Sequence, residues 1–205
     1  MPYAIDSTQA GYLGPDTKTL TGDNLEDFLH DVIAGVVNFD PTLVRPRWQP
    51  QPPTTPHVTV DWCAFGIMHT EADYSAYVAH VNVPDGVGYD VLQRQERVTV
   101  LSSFYGPNAE ENAAVLRDGL FIDQNRQFFR SNGLGIIEVD DILRTSELFR
   151  QQWRQRSDLN LILRREVLRT YQVRNLLRAK GPIIANSPAG ERTITTEFDT
   201  DNAAE

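Results

Sequence analysis

The sequence predicts an α+β domain: a mostly antiparallel sheet with two helices packed on one face and extended arms at both ends. Three observations predict it. Residues 24–37 and 108–131 carry apolar side chains at helical spacing. Between them, 58–69, 74–83 and 90–105 are rich in β-branched and aromatic residues and are separated by turn residues. The flanks 1–22 and 181–205 are polar, with scattered Gly, Pro, Thr and acidic residues.

Taken in order, 1–22 reads as an arm that orders only against a neighbour. Asp23 can cap the first helix, with Glu26 three residues on at capping-box spacing. Leu25, Phe28, Leu29, Val32, Ile33 and Val36 form its apolar face, Glu26, Asp27 and Asp31 face outward, and Asn38 and Pro41 end it. A paired-carboxylate site on that outer face is possible in principle, but a solvated acidic face is the simpler reading.

Arg45-Pro46-Arg47-Trp48-Gln49-Pro50-Gln51-Pro52-Pro53 follows. Each proline removes a backbone donor and pushes its predecessor toward extended geometry, so 45–56 reads as a polyproline-like arm open to partners. Such a run is equally well an ordinary surface connector with Trp48 as a rim aromatic. It leads straight into Asp61-Trp62-Cys63-Ala64-Phe65-Gly66-Ile67, the centre of a buried strand with Trp62 and Phe65 in the core.

The short link Thr70–Asp73 predicts a hairpin between the first two strands, and Pro84-Asp85-Gly86-Val87-Gly88 predicts a turn before the third. In that third strand Leu92, Val98, Val100 and Phe104 alternate inward, with Arg94 and Glu96 interrupting. The second helix can be capped by Asn108 and stopped by Asn132-Gly133. Ala113, Leu116, Leu120, Gln124 and Phe128 lie along one side, and Gly119 sits mid-helix, where a bend or a close contact fits it. Ile137, Val139 and Leu143 alternate inward in a further strand. Leu159, Leu161, Leu163, Val167 and Tyr171 fit either a strand or a helix by spacing alone. Between them 148–156 mixes aromatics and arginines at a turn or hairpin tip, and Gly181-Pro182 turns the chain into a mobile acidic tail.

Composition bounds the function. Net charge is −9, divided as −10 over 1–116, +5 over 117–180 and −4 over 181–205. That split suits oppositely charged faces meeting in an assembly better than a nucleic-acid groove. Nine arginines from Arg144 to Arg178, interleaved with Trp153 and Tyr171, have the composition of a single-strand binder. On a strand, however, Arg164 and Arg165 point to opposite faces. No apolar run reaches the ~18 residues of a membrane helix, and the first residues lack the features of a signal peptide, so a cytosolic origin is expected.

Cys63, alone in the sequence, forms no intrachain disulfide. Paired with His57 or His80 it suggests a Cys–His hydrolase, with His80 able to oppose it across the predicted hairpin, whereas His69 lies about 20 Å along the same strand and cannot act with it. A cysteine between Trp62 and Ala64 is more often a small buried hydrophobe. No zinc spacing, P-loop or dinucleotide fingerprint is present, so no cofactor, metal or catalytic residue is expected.

The segments 45–53 and 61–67, with the later Leu163-Arg164-Arg165-Glu166-Val167-Leu168-Arg169-Thr170-Tyr171, resemble the phage neck/tail terminator family of virion proteins. The similarity spans roughly residues 22–180 and implies one domain over 23–180, a strand at 158–173, and no catalysis. It further implies a structural ring of six copies at the head–tail junction, assembled in the host cytoplasm. Its partners would be other copies of itself, head-completion or connector proteins, and tail or collar proteins, with only nonspecific proximity to DNA and no membrane. The contacts expected on this reading are Arg45, Arg47, Trp48, Pro50, Pro52 and Pro53 of the arm, and Phe149, Arg150, Trp153, Arg154 and Arg156 beyond it. Arg and Trp lead that choice because they dominate interface hot spots. The competing reading from the residues alone is a non-viral interaction module that presents 45–56 to an aromatic groove.

Overall fold

The computed structural model of the chain describes residues 3–17, 19, 21–83, 87–176, 178–187 and 190–199, the last two stretches as backbone. In chain order the first elements are β1 (Tyr3–Ala4), β2 (Tyr12–Leu13), β3 (Asp16–Thr17), α1 (Asp23–Val37), β4 (Val44–Pro46), β5 (Trp62–Ala72), β6 (Tyr77–Val81) and β7 (Tyr89–Tyr105). There follow α2 (Ala109–Gly119), α3 (Asp123–Ser131), β8 (Leu134–Val139), β9 (Leu143–Arg144), β10 (Glu147–Phe149) and β11 (Gln152–Arg154). The last are β12 (Arg156–Tyr171), β13 (Arg178–Ser187) and β14 (Gly190–Asp199). The α+β class holds, with three helices and a mixed, mainly antiparallel sheet. The backbone divides into two compact units, 18–76 with 93–168, and 1–17 with 77–92 and 169–205.

In the larger unit α1 buries Leu25, Leu29 and Ile33 of the predicted stripe together with Ala34 and Val37, while the predicted Phe28, Val32 and Val36 are only partly buried, so the buried face is rotated from the one the spacing predicts. Its N-cap is Gly22, not Asp23, and no side chain caps it. Asp23 and Glu26 lie in its first turn, where negative charge is favourable, and left-handed Asn38 ends it. The sheet runs β4-β5-β7-β12, with β8 and β9 also pairing β12. β5 and β7 are antiparallel, with Cys63 opposite Phe104 and Trp62 opposite Tyr105. The hairpin predicted between β5 and β6 does not form: β5 pairs β7 as far as Ala72↔Glu96, and β6 also pairs β7. A 17-residue strand has room for both partners, which local link length cannot reveal.

Side chains alternate across each strand. Cys63 and Phe65, Val98, Val100 and Phe104, and Leu159, Leu161 and Leu163 form one core with α1, α2 and α3. The β12 spacing therefore resolves as strand. Arg165 lies among those odd positions, and its Nε donates to Glu96 (3.0 Å), which accounts for Glu96 in the charged interruption of β7. In β8 it is Leu134, Ile136 and Val139 that meet the core, while Ile137 and also Leu143 of β9 are exposed. The predicted alternation slips because the pairing moves from Ile162↔Glu138 to Leu163↔Ile136, leaving Ile137 as an extra residue.

The predicted helix 108–131 is two helices broken at Gly119. A Cβ there would lie 2.5 Å from Val36 Cγ1, and Asn125 Nδ2 donates to the Gly119 carbonyl (2.9 Å). The break resets the helical phase, so Phe129 is buried and Phe128 exposed. Asn108 precedes α2 without capping it through its own side chain. Its N–H and Nδ2 both donate to Asp61 (2.9 and 2.8 Å), which places a carboxylate at the helix's positive end.

In the smaller unit the first residues lie on their own chain. Ser7 N–H donates to Gln172 O (2.9 Å), Arg174 bonds Asp6 through Nε (3.1 Å), and β3 pairs Arg169 and Thr170 of β12. The expectation that 1–22 orders only against a neighbour is corrected to that extent. The turn expected at Gly181-Pro182 is likewise replaced, since β13 and β14 pair antiparallel from Arg178↔Asp199 to Ser187↔Gly190. Of the turn predicted at 84–88, residues 84–86 lie outside the described residues.

His80 belongs to this unit. Its Nδ1 meets Asp90 Oδ1 (2.6 Å) and its Nε2 meets Asn175 Oδ1 (2.7 Å). The Asn175 amide is oriented by donating to Asn82 Oδ1 and Val83 O. Both ring nitrogens thus face acceptors, which suits imidazolium. The bonds to Asp90 and then Asn175 raise the His80 pKa above its ordinary value. A raised folded-state pKa stabilises fully below the unfolded value near 6.5, and that contribution disappears as pH rises through the higher folded value. An NMR titration of the His80 ring is expected to show the raised midpoint, and Asp90→Asn should bring it down. An unchanged midpoint in Asp90→Asn would assign the shift to another cause.

Candidate assembly surface

Trp62, Ala64 and Gly66 of β5, ahead of its bulge between Ile67 and His69, and the odd positions of β7 point away from the helices. There Trp62 stacks on Tyr105 with centroids 4.4 Å apart and planes 11° apart. Arg154, only 5% exposed, lies over Tyr105 (4.6 Å), Phe149 (4.5 Å) and Trp62 (5.6 Å). It also donates from Nε to Glu147 (3.0 Å). Arg45 covers Trp62 from 5.6 Å and Arg156 covers Tyr105 from 5.7 Å. Cation–π pairs of this kind strengthen when desolvated. At its Trp62–Tyr105 end, the sheet face without helices is therefore covered by the guanidinium groups of Arg45, Arg154 and Arg156.

The β10–β11 hairpin supplies Phe149 and Arg154 to that layer. Its register sets Glu147 opposite Arg154, Leu148 opposite Trp153, and Phe149 opposite Gln152. The two turn residues, Arg150 and Gln151, both have positive φ (47° and 64°), the conformation of a tight two-residue hairpin turn. Alternation then turns Leu148 and Trp153 outward, at 64% and 73% exposure. Arg150 is exposed at the tip, with its guanidinium over Phe149 (5.1 Å).

The proline-rich segment is less open than its composition suggests. β4 pairs parallel with β5, Val44 to Cys63 and Pro46 to Phe65, and Arg47 N–H donates to Phe65 O (2.7 Å). Arg45 bonds the carbonyls of Thr42 (3.2 Å) and Thr54 (2.9 Å), which ties the two ends of the loop together. Arg47 Nη2 donates to Ser103 Oγ, Ser103 donates to Asp158, and Asp158 accepts two bonds from Arg156 (both 2.8 Å). Trp48 has φ 57° and is 68% exposed, and Pro50, Pro52 and Pro53 are exposed too. Trp48 helps line an open groove of about 270 Å³ with Arg45, Gln49, Pro52 and Trp62.

The eleven residues expected at contacts thus fall into two groups. Arg45, Arg47, Phe149, Arg154 and Arg156 engage partners within the subunit. Trp48, Pro50, Pro52, Pro53, Arg150 and Trp153 present themselves outward. Sequence reasoning missed Leu148, the outward partner of Trp153, and the framing roles of Ser103 and Asp158. The two-residue spacing from Ser103 to Tyr105 and the alternation of 152–154 were the available signals.

Gly66 ties the arm to this face. A Cβ there would come within 2.8 Å of the Trp48 ring and 3.2 Å of Arg47 Cβ and Cδ. Gly66→Ala is expected to displace Trp48, shift its fluorescence, and cost about 1–3 kcal/mol of stability in urea unfolding. A variant with wild-type stability and unshifted emission would show that the arm does not rest on Gly66.

The hydrolase arrangement does not assemble here. Cys63 is fully buried, its strand partners are Val44 and Phe104, and burial pushes its thiol far above the usual range. His80 bonds Asp90 and Asn175, and His57 bonds Thr59. Among the described residues no group of three or more His, Cys, Asp or Glu could hold a metal ion. No helix among them is long and apolar enough to cross a membrane.

The sequence's charge split also folds onto itself in part. Arg144 pairs with Glu110, Arg164 with Asp73, Arg165 with Glu96, and Arg174 with Asp6. Each of these joins the basic segment to the acidic one within a single chain.

No curated protein matches the chain. A family model described as phage neck terminator protein matches residues 23–187.

Proposed function

Because the chain belongs to the phage neck terminator family, and is therefore a structural protein of the phage neck, we propose that it forms a ring at the head–tail junction, joining connector to tail. The family match over 23–187 carries this reading. Its partners are further copies of itself and the neighbouring head-completion, tail or collar proteins, and its work is structural with no catalytic step. Six copies close the ring, and particle assembly takes place in the host cytoplasm.

The outward set Trp48, Pro50, Pro52, Pro53, Arg150 and Trp153 makes the contacts. Arg45, Arg47, Phe149, Arg154 and Arg156 hold that set in place. Prolines and a framed loop lower the ordering cost of binding, and exposed Trp and Arg are the residue types that anchor interfaces. The domain over 23–180 is the assembling body.

Cryo-electron microscopy of the virion tests the proposal. Density for this chain as a closed ring between head and tail, with 45–56 against a neighbouring chain, is the expected result. Absence of the chain from the particle would overturn it. Because many of the arginines are paired internally, a ring of the purified protein is expected to weaken only modestly with salt. Full dissolution at moderate ionic strength would instead make intersubunit charge the main attraction.

A further inference from the structure

A second exposed apolar feature lies on the helix side. Phe28, Val32, Gly35 and Val36 of α1 and Phe128 of α3 line an open groove of about 460 Å³, with Asp31 on its wall. Phe128 is 58% exposed. Gly35 leaves it roomy, since a Cβ there would meet nothing within 4 Å. Such a glycine in an exposed helix costs about 1 kcal/mol relative to alanine, and nothing among the described residues requires it.

We propose that this groove receives the Leu148–Trp153 knob of the β10–β11 hairpin from a second copy of the chain. The inference rests on the multi-copy reading above and deepens it by naming both halves of one contact. Three observations favour this occupant. The first is chemical: the knob is a cross-strand apolar pair turned outward, and Phe28, Val32, Val36 and Phe128 give the groove an apolar wall beside Asp31, Asn125 and Asn132. The second is charge. Arg150 stands exposed beside the knob, while α1 presents Asp23, Asp27 and Asp31 outward, and residues 19–44 contain no Lys or Arg.

The third is placement. Phe104 and α1 share one side of the sheet, whereas Tyr105 and the hairpin's Arg154 share the other. A knob on one side and a socket on the other do not meet within one subunit. They describe a head-to-tail contact, the kind that closes into a ring when its rotation divides the circle. One knob falls short of the ~800 Å² per partner of a standard interface, so it acts as an anchor within a wider contact.

The test uses the full chain in assembled particles. A photo-crosslinking amino acid at position 153 is expected to attach to 28–36 or 125–132 of another copy. Attachment to a different virion protein, or elsewhere on this chain, overturns the proposal. Gly35→Leu fills the groove at a site with open space and improves helix propensity, so its thermal stability should equal or exceed wild type. Its incorporation into rings or particles should fall about tenfold or more. Arg150→Glu should also lower incorporation, and adding Asp31→Arg should restore it. If rings form and Gly35→Leu enters them normally, the knob-and-socket contact is wrong and the ring reading survives. If particles hold only one copy, both fail together.

Discussion

Phe104→Ala is expected to lower the free energy of unfolding by about 3–5 kcal/mol. Phe104 has no exposed surface and sits opposite Cys63 on β5. Its ring meets Phe39 edge-on at 6.3 Å. It therefore stands where β5, β7 and the segment after α1 converge, and truncation leaves a cavity that three elements cannot all close. Against a total stability of roughly 5–15 kcal/mol for a domain, a loss of this size shifts much of the population toward unfolded chain. Urea unfolding followed by far-ultraviolet circular dichroism reads the change directly. A loss below about 1 kcal/mol would mean that the site collapses freely and that the core there is poorly packed.

The second large effect is expected at Arg154. Arg154→Ala uncovers Tyr105 and Phe149 and removes the partner that donates to Glu147. Glu147 keeps some solvent and a second arginine, Arg156, at 3.7 Å, so the cost is discounted to about 2–3 kcal/mol. The informative comparison is Arg154→Lys. Lysine keeps the charge but loses the plane that stacks on rings and the fork that grips a carboxylate. It should recover less than half of the lost stability. Limited proteolysis at the Arg150 turn should speed up in both variants as the hairpin loosens from the sheet. A lysine variant as stable as wild type would show that charge alone holds the hairpin.

Much of the fold is legible in the residues, and its limits follow from what local spacing can encode. Leu25, Leu29 and Ile33 of α1 and the inward Val98, Val100 and Phe104 of β7 were readable because they depend on one element's own period, whereas the burial of Ala34 and Val37 in place of Phe28, Val32 and Val36 depends on where the sheet lies. The odd positions of β12 were ambiguous between period 2 and a mixed helical spacing, and the family resemblance, not periodicity, favoured strand. The pairing of β5 with β7 in place of β6 joins residues from Ala72↔Glu96 to Trp62↔Tyr105, far apart in sequence, which no local pattern reports. The helix break at Gly119 was visible as a misplaced glycine. Its cause, the approach of Val36, is a tertiary fact, and so is the phase change that buries Phe129 instead of Phe128.

The candidate surface was legible by composition and opaque by destination. Arginine beside aromatic residues marked 148–156 correctly as a hairpin region. Whether a given guanidinium turns inward or outward is fixed by strand parity and by which carboxylate lies across the sheet. Arg47 reaches Ser103, fifty-six residues away, and so serves the frame, while its neighbour Trp48 stays outside.

The short parallel strand β4 has a consequence of its own. Arg47 N–H is directed at β5, so by alternation the nitrogen of Pro46 faces the free edge, where proline has no hydrogen to give. Val44, which shares that side, already donates its N–H to Pro41 O. The rim of the sheet at β4 thus offers an incoming strand no amide from Val44 or Pro46, and the left-handed bend at Trp48 ends it after three residues. Edges left open this way seed runaway cross-β stacking when many copies crowd together. Here the rim is chemically blunted, so copies can accumulate at high local concentration without zipping into fibrils along β4.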